Sequence, residues 1–144
     1  MVANEKQSDC IFCKIVAGDI PAARIYEDDH VLAFVDINPL ADGHTLIIPK
    51  KHYVTMDQMP EDEAAALARC LPRLARAIQS SVNAEGLNIL QNNGGVAGQV
   101  VMHLHVHLIP RVPGDGLGYR WPSGQYPPGR LQQVCDMIKG KLGE

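Results

Sequence analysis

Residues 103 to 107 read His-Leu-His-Val-His, three imidazoles at a spacing of two inside the otherwise apolar run Val100 to Pro110. A strand turns successive side chains to opposite faces, so the pattern predicts that His103, His105 and His107 line one face while Leu104, Val106 and Leu108 point to the other. Neighbouring rings then start about 6.7 Å apart at their Cα atoms, from a rise of about 3.3 Å per residue, close enough to touch one small group together. The chain has six histidines, so this face holds half of the side chains that titrate near neutral pH. Two chemistries use such a face. Imidazoles gather a metal ion, or a neutral ring attacks an electrophile while another protonates what leaves.

The flanks add to this. Downstream, Ile109-Pro110-Arg111 predicts the end of the strand, because proline cannot donate to a ladder. Upstream, Asn92-Asn93-Gly94-Gly95-Val96-Ala97-Gly98-Gln99 is rich in residues that tolerate positive φ and present bare backbone N–H groups, the makings of an anion-holding loop. Beside a histidine face such a loop points to phosphoryl chemistry, which needs donors around phosphorus as well as a nucleophile. A second constellation, Cys10-Ile11-Phe12-Cys13, is half of a zinc site, and a disulfide or thiol-redox pair is the competing reading.

Along the chain, a polar and flexible tail at 1–8 precedes a short helix at 10–17 ended by Gly18, and residues 9–144 are expected to form one domain. Strands are predicted at about 24–27, 30–37 and 44–50, with Asn38 to Gly43 as the turn between the last two. A helix follows over about 60–82, with Ala64, Leu67, Leu71, Leu74 and Ile78 at helical spacing and a kink at Pro72. Strands at 86–91 and 100–109 and a helix at about 130–141 complete an α+β fold, an antiparallel sheet with one long helix packed on it and a C-terminal helix. Cys70 and Cys135 read as small core residues of helices. The segment Pro113 to Gly129, dense in Gly and Pro but carrying Tyr119, Trp121 and Tyr126, reads as an ordered loop.

At 144 residues the chain suits a single core, and a formal charge of −3 offers no basic field for long nucleic acids. No 18-residue apolar stretch or signal-peptide pattern is present, so no membrane contact and a cytoplasmic location are expected.

The order Asn92…Gly98-Gln99-x-x-x-His103-x-His105-x-His107, preceded by Asp36-Ile37-Asn38-Pro39…Gly43-His44-Thr45-Leu46-Ile47-Ile48-Pro49-Lys50-Lys51-His52, resembles the histidine triad (HIT) family of nucleotide hydrolases and transferases over roughly residues 9 to 125. The resemblance implies that His105 attacks the α-phosphorus of a nucleotide to form a nucleotidyl-histidine that water hydrolyses. It assigns His107 to the phosphate and the departing group, a general-acid task suited to a pKa near neutrality, and places His44 in the same phosphate pocket. Asp36 matches the carboxylate that holds the ribose hydroxyls; Phe12, Ile20, Phe34 and Ile37 match the apolar residues around the base. Asn92 and the backbone N–H groups near Gly98, Gln99 and Val100 match the groups that hold phosphate oxygens.

Many bacterial relatives pair the two cysteines with two histidines that correspond to His52 and His103, which implies a structural zinc on Cys10, Cys13, His52 and His103. One position departs from the family: a Ser or Thr usually follows the Gly-Gln pair, and this chain has Val100, which cannot donate a hydrogen bond. The implied substrate is a purine nucleoside 5′-monophosphate derivative, a phosphoramidate or dinucleoside polyphosphate, and the implied assembly is a homodimer whose C-terminal loop lies beside the partner's pocket. Two other readings stand beside it: a metal-dependent hydrolase in which the three histidines bind a catalytic ion, and a low-turnover nucleotide-binding regulatory protein, suggested by Val100.

Overall fold

A computed structural model describes residues 9–118 and 121–143, so the tail expected over 1–8 lies outside the described residues. Five antiparallel strands, β1 (Ala23–Glu27), β2 (Val31–Val35), β3 (Thr45–Pro49), β4 (Gly86–Gln91) and β5 (Val106–Arg111), form one sheet in the order β1-β2-β3-β5-β4. Strand β2 is apolar throughout, and β3 after Thr45, because both faces of the sheet are covered. On one face Val31, Ala33, Ile47, Val106 and Leu108 pack with Leu67, Leu74 and Ile78 of helices α2 (Glu61–Arg69) and α3 (Leu71–Val82). On the other, Leu32, Phe34, Leu46 and Ile48 pack with Phe12 and Ile15 of helix α1 (Ile11–Ala17). Truncating a wholly buried member such as Ile47 to alanine costs about 2–5 kcal/mol.

The α+β architecture expected from the sequence is the one observed, with three local differences. The helix expected over 60–82 is two helices meeting at Cys70. Pro72 has no N–H to donate and its ring crowds the carbonyl four residues back, so the ladder breaks in the turn before it and restarts with proline in the first turn of α3. The strand expected over 100–109 runs instead from Val106 to Arg111. Its pairing begins at Val106, opposite Ile47 on one side and Gln91 on the other; residues 103–105 extend beyond both neighbours, held by the Leu104 N–H bond to the Tyr53 carbonyl, past the end of β3, at 2.7 Å. Pro110 does not end the strand: β3 stops pairing at Leu108, so the absent N–H removes no bond from that ladder. Helix α4 (Arg130–Leu142) has no buried residue, and Cys135 on it is half-buried, whereas Cys70 is core as expected. Among the described residues no helix is long and apolar enough to cross a membrane.

Candidate active site and metal centre

Cys10 sits in extended backbone just before α1, and its Sγ accepts from the Cys13 N–H at 3.4 Å, which turns both sulfurs to one side. Opposite them stand His52, just past β3, and His103, wholly buried ahead of β5. The Cys10 sulfur is 3.3 Å from His103 Nδ1, the Cys13 sulfur is 3.4 Å from His52 Nδ1 and 3.6 Å from His103 Nδ1, and the two nitrogens are 3.1 Å apart. Zinc bonded at about 2.3 Å to sulfur and about 2.0–2.1 Å to nitrogen needs tetrahedral edges of about 3.3–3.8 Å between such donors, and these separations lie close to that range, so this group fits a metal ion. The far side of one ligand agrees. His103 Nε2 donates to the Pro49 carbonyl at 2.9 Å, which leaves the Nδ1 lone pair facing the sulfurs, and burial holds the ring neutral with a pKa of about 4.

A cavity of about 450 Å³ opens between α1, β2 and the segment 100–107. Its walls are mostly apolar, with Phe12 edge-on to both Phe34 and His105 at centroid separations of 5.8 and 5.1 Å. Asp36 is held toward it by the Asn38 N–H on its Oδ1 at 2.9 Å.

The hydrogen bonds settle which nitrogens carry protons. His105 Nδ1 is 2.8 Å from the His103 carbonyl, which can only accept, so Nδ1 bears the hydrogen, and in the neutral tautomer the lone pair is on Nε2. The Leu40 N–H donates to His44 Nδ1 at 3.0 Å, so His44 Nε2 bears a hydrogen and gives it to His107 Nδ1 at 2.9 Å. His107 Nε2 is then a donor. One lone pair and one N–H thus sit on rings 4.9 Å apart in the same cavity. Burial, with the neighbouring His105 and His44, pushes His107 down to about 4 rather than leaving it near neutrality as expected, and burial lowers His44 as well.

Of the residues singled out in the sequence, Phe12, Ile20, Phe34, Asp36, Ile37, Val100, His105 and His107 all line this cavity, Ile37 and Val100 largely exposed at 86% each. His44 stands behind His107 and does not line the cavity. Asn92, Gly98 and Gln99 also lie outside its lining. The buried Gln99 amide accepts from the Gly94 N–H and donates to the Val54 and Val101 carbonyls, and the Gly98 and Gln99 N–H groups bond to Gly95 and Gly94 within their own loop. Gly98 has φ +97°, and a Cβ there would come 3.4 Å from Asn92 Nδ2, which explains the glycine. The triad does not converge on one ion. Of the two metal-capable groups among the described residues, Cys10/Cys13/His52/His103 and Asp36/His44/His107, each contains a single triad histidine, which removes the reading of three histidines around a catalytic metal.

The model of the HIT domain matches residues 17–114. The chain belongs to the HIT family. The HIT relatives include Protein hit of Bacillus subtilis, 47% identical over 137 residues, 93% of this chain and 94% of that one. Another, adenosine 5′-monophosphoramidase hnt1 of Schizosaccharomyces pombe, is 40% identical over 134 residues, 92% of this chain and 98% of that one. A third, adenylylsulfatase HINT3 of Arabidopsis thaliana, is 46% identical over 117 residues, 81% of this chain and 58% of the relative. A crystal structure from Streptococcus mutans superposes with a TM-score of 0.91 at 46% identity, covering 94% of this chain and 87% of that one. A zinc-bound histidine triad protein from Mycobacterium smegmatis does so at 0.72 and 41%, covering 94% and 98%.

The HIT motifs in the sequence left out the backbone groups that orient the rings. The carbonyls of Pro49 and His103 and the N–H of Leu40 decide which imidazole nitrogen is free, and no side-chain pattern marks them. Gln99 as a brace between loops is missed for the same reason.

Proposed function

We propose that this HIT protein is a nucleotide hydrolase of the bacterial zinc-containing branch that attacks the α-phosphorus of a purine nucleoside 5′-monophosphate derivative, a phosphoramidate or dinucleoside polyphosphate, through a nucleotidyl-histidine. The observation that carries the reading is the His105 Nδ1 bond to the His103 carbonyl, which assigns Nε2, at the cavity, as the nitrogen that carries the lone pair of the neutral tautomer. Phe12, Ile20, Phe34 and Ile37 enclose the base and Asp36 accepts from the ribose hydroxyls. His105 Nε2 forms a bond to phosphorus as the bond to the leaving group breaks. His107 Nε2–H faces the phosphate and passes its proton to the leaving atom; an arriving phosphate anion raises that ring from about 4 toward the range where the transfer is efficient. Water then attacks phosphorus, the P–N bond to His105 breaks, and the monophosphate leaves.

His44 acts through His107 by holding its Nδ1. Gly98 to Val100 contribute chiefly the Val100 N–H, since the two before it are engaged within the loop, and Asn92 supports that loop. Cys10, Cys13, His52 and His103 hold a structural zinc, which supplies cross-linking between α1 and the segment before β5. The monophosphoramidase and adenylylsulfatase relatives support the reaction class, and the zinc-bound neighbour supports the metal. A homodimer is part of the reading: β4 is a sheet edge carrying the exposed Ile89, and α4 presents Leu131, Ile138 and Leu142 unburied.

The test offers adenylyl and guanylyl amides, thioesters and dinucleoside polyphosphates in ¹⁸O-water, with mass spectrometry of protein quenched in acid. The expected result is label on the released monophosphate and a nucleotidyl adduct on the peptide containing His105. Binding of the monophosphate with neither adduct nor turnover would leave a regulatory nucleotide-binding protein instead.

A further inference from the structure

The two sulfurs of the metal centre differ in access. Cys13 is buried, whereas Cys10 is half-buried and opens onto a separate cleft of about 380 Å³ that also reaches His52, Val54 and Met102. Their sulfurs lie within 4.8 Å of each other, so closing to the roughly 2.05 Å of a disulfide needs only a local shift at the start of α1. Two short routes lead from this pair to the nucleotide cavity. His103 faces both sulfurs through Nδ1 while its own carbonyl holds His105 Nδ1. Phe12, between the cysteines in sequence, stands edge-on to His103 at 5.8 Å and to His105 at 5.1 Å. The sulfurs thus touch the same residue whose carbonyl orients the His105 ring, and the residue between them packs against that ring.

We propose that Cys10 and Cys13 form an oxidation site that gates the nucleotide cavity: a peroxide converts the two zinc thiolates to a disulfide, zinc is released, and His105 loses its fixed orientation. The proposal rests on the zinc reading above. The Cys10 thiolate attacks a peroxide oxygen, the O–O bond breaks, and a sulfenic acid and hydroxide form. The Cys13 thiolate then attacks the Cys10 sulfur, the S–S bond forms, and the S–O bond breaks to release a second hydroxide. Two electrons from the two thiolates reduce one peroxide, and two protons from solvent complete two waters. Zinc has lost two of its four donors and dissociates.

The experiment uses zinc-loaded full-length protein in a Cys135→Ser background, which leaves buried Cys70 as the other thiol outside the pair. Hydrogen peroxide is added while a metallochromic dye reads zinc, and thiols are counted, the disulfide located by peptide mass, and AMP affinity and turnover measured before and after. One zinc per chain should leave as the Cys10–Cys13 disulfide forms; AMP affinity should weaken and turnover fall about tenfold or more, as when groups that orient a site residue are lost, all reversed by dithiothreitol with zinc. Cys10→His, which keeps four donors but one thiol, should keep its zinc and show the same turnover with and without peroxide, whatever its level. Zinc retained through peroxide, or zinc lost with AMP affinity and turnover unchanged, overturns the gate. Protein isolated without zinc overturns the zinc reading and the gate together. Zinc-loaded protein that hydrolyses nothing overturns the hydrolase reading alone, and AMP affinity then decides the gate.

Discussion

His103 and His105 are two residues apart and chemically identical, yet the protein exposes opposite nitrogens of their rings. His103 gives Nε2–H to the Pro49 carbonyl and turns Nδ1 to two sulfurs; His105 gives Nδ1–H to the His103 carbonyl and keeps Nε2 for the cavity. In each case a backbone acceptor chooses the tautomer, and the tautomer decides which nitrogen is offered: one toward two sulfurs, the other toward the cavity, as the proposed ligand and nucleophile require. A histidine motif therefore states how many rings are available and leaves their roles to main-chain oxygens elsewhere.

The sharpest way to break this comparison is to remove one ring at a time. His105→Ala should lower turnover by about 10³-fold or more while AMP affinity, held by Asp36 and the apolar walls, stays within a few fold, read by steady-state kinetics beside calorimetry. Loss of binding together with rate in a folded variant would count against a nucleophile that acts only on phosphorus.

The other region should respond in stability. Cys13→Ala, or zinc removal by a chelator, should lower Tm on the order of 10 °C by differential scanning calorimetry, since metal that binds only the folded chain adds folding free energy. An unchanged Tm would mean that the Cys/His cluster carries no metal.

A smaller effect sharpens the cavity side. His44→Ala should reduce turnover about tenfold by freeing His107 to rotate, as losses of second-layer partners do, and should leave AMP binding nearly intact. The same region sets an acid dependence. His107 is pushed to about 4 when folded and returns to its ordinary value of 6.5 when unfolded, so the unfolded chain binds more protons across that interval. Stability should fall as pH drops from about 6.5 toward 4, and His107→Gln should flatten the slope in denaturant titrations at several pH values. An identical slope in the variant would mean that other groups carry the dependence.

The smallest effect belongs to Val100, largely exposed at the cavity. Val100→Ser should raise turnover a few fold, about the worth of one neutral hydrogen bond, and more on alkyl amides than on activated aryl esters, with little change in Tm. Equal acceleration on every substrate would show that the hydroxyl contacts phosphate alone.

Much of this was legible in the chain because apolar runs and paired motifs are local signals. The buried strands β2 and β3, a disturbance of the helix at Pro72 and the Cys10/Cys13 pair follow from residue types at short spacing, whereas His52 and His103 are matched to that pair only through the resemblance to the family. The start of β5 was not, because alternation of Leu104, Val106 and Leu108 marks extended backbone and is silent on whether neighbours remain to pair with it. The low pKa of His107 escaped for a related reason: burial comes from elements distant in sequence. The Gln99 N–H is expected near phosphate because the Gly-rich loop and the motif adjoin it; in the fold it donates to the Gly94 carbonyl, while the side-chain amide is taken up by Gly94, Val54 and Val101.

Leu104 is wholly buried between His103 and His105 and belongs, with Val106 and Leu108, to the core under the helices. This divides the segment into two interleaved scripts. The even-numbered leucines and valine anchor the rail in the core, and the odd-numbered positions are a row of sockets along it, of which the first, His103, is also tied to β3 through the Pro49 carbonyl. New chemistry can be written into such a row one socket at a time, provided the rail is left alone. The same division makes an even-numbered change the more damaging kind: Leu104→Ala would unseat both neighbouring sockets at once while altering neither imidazole.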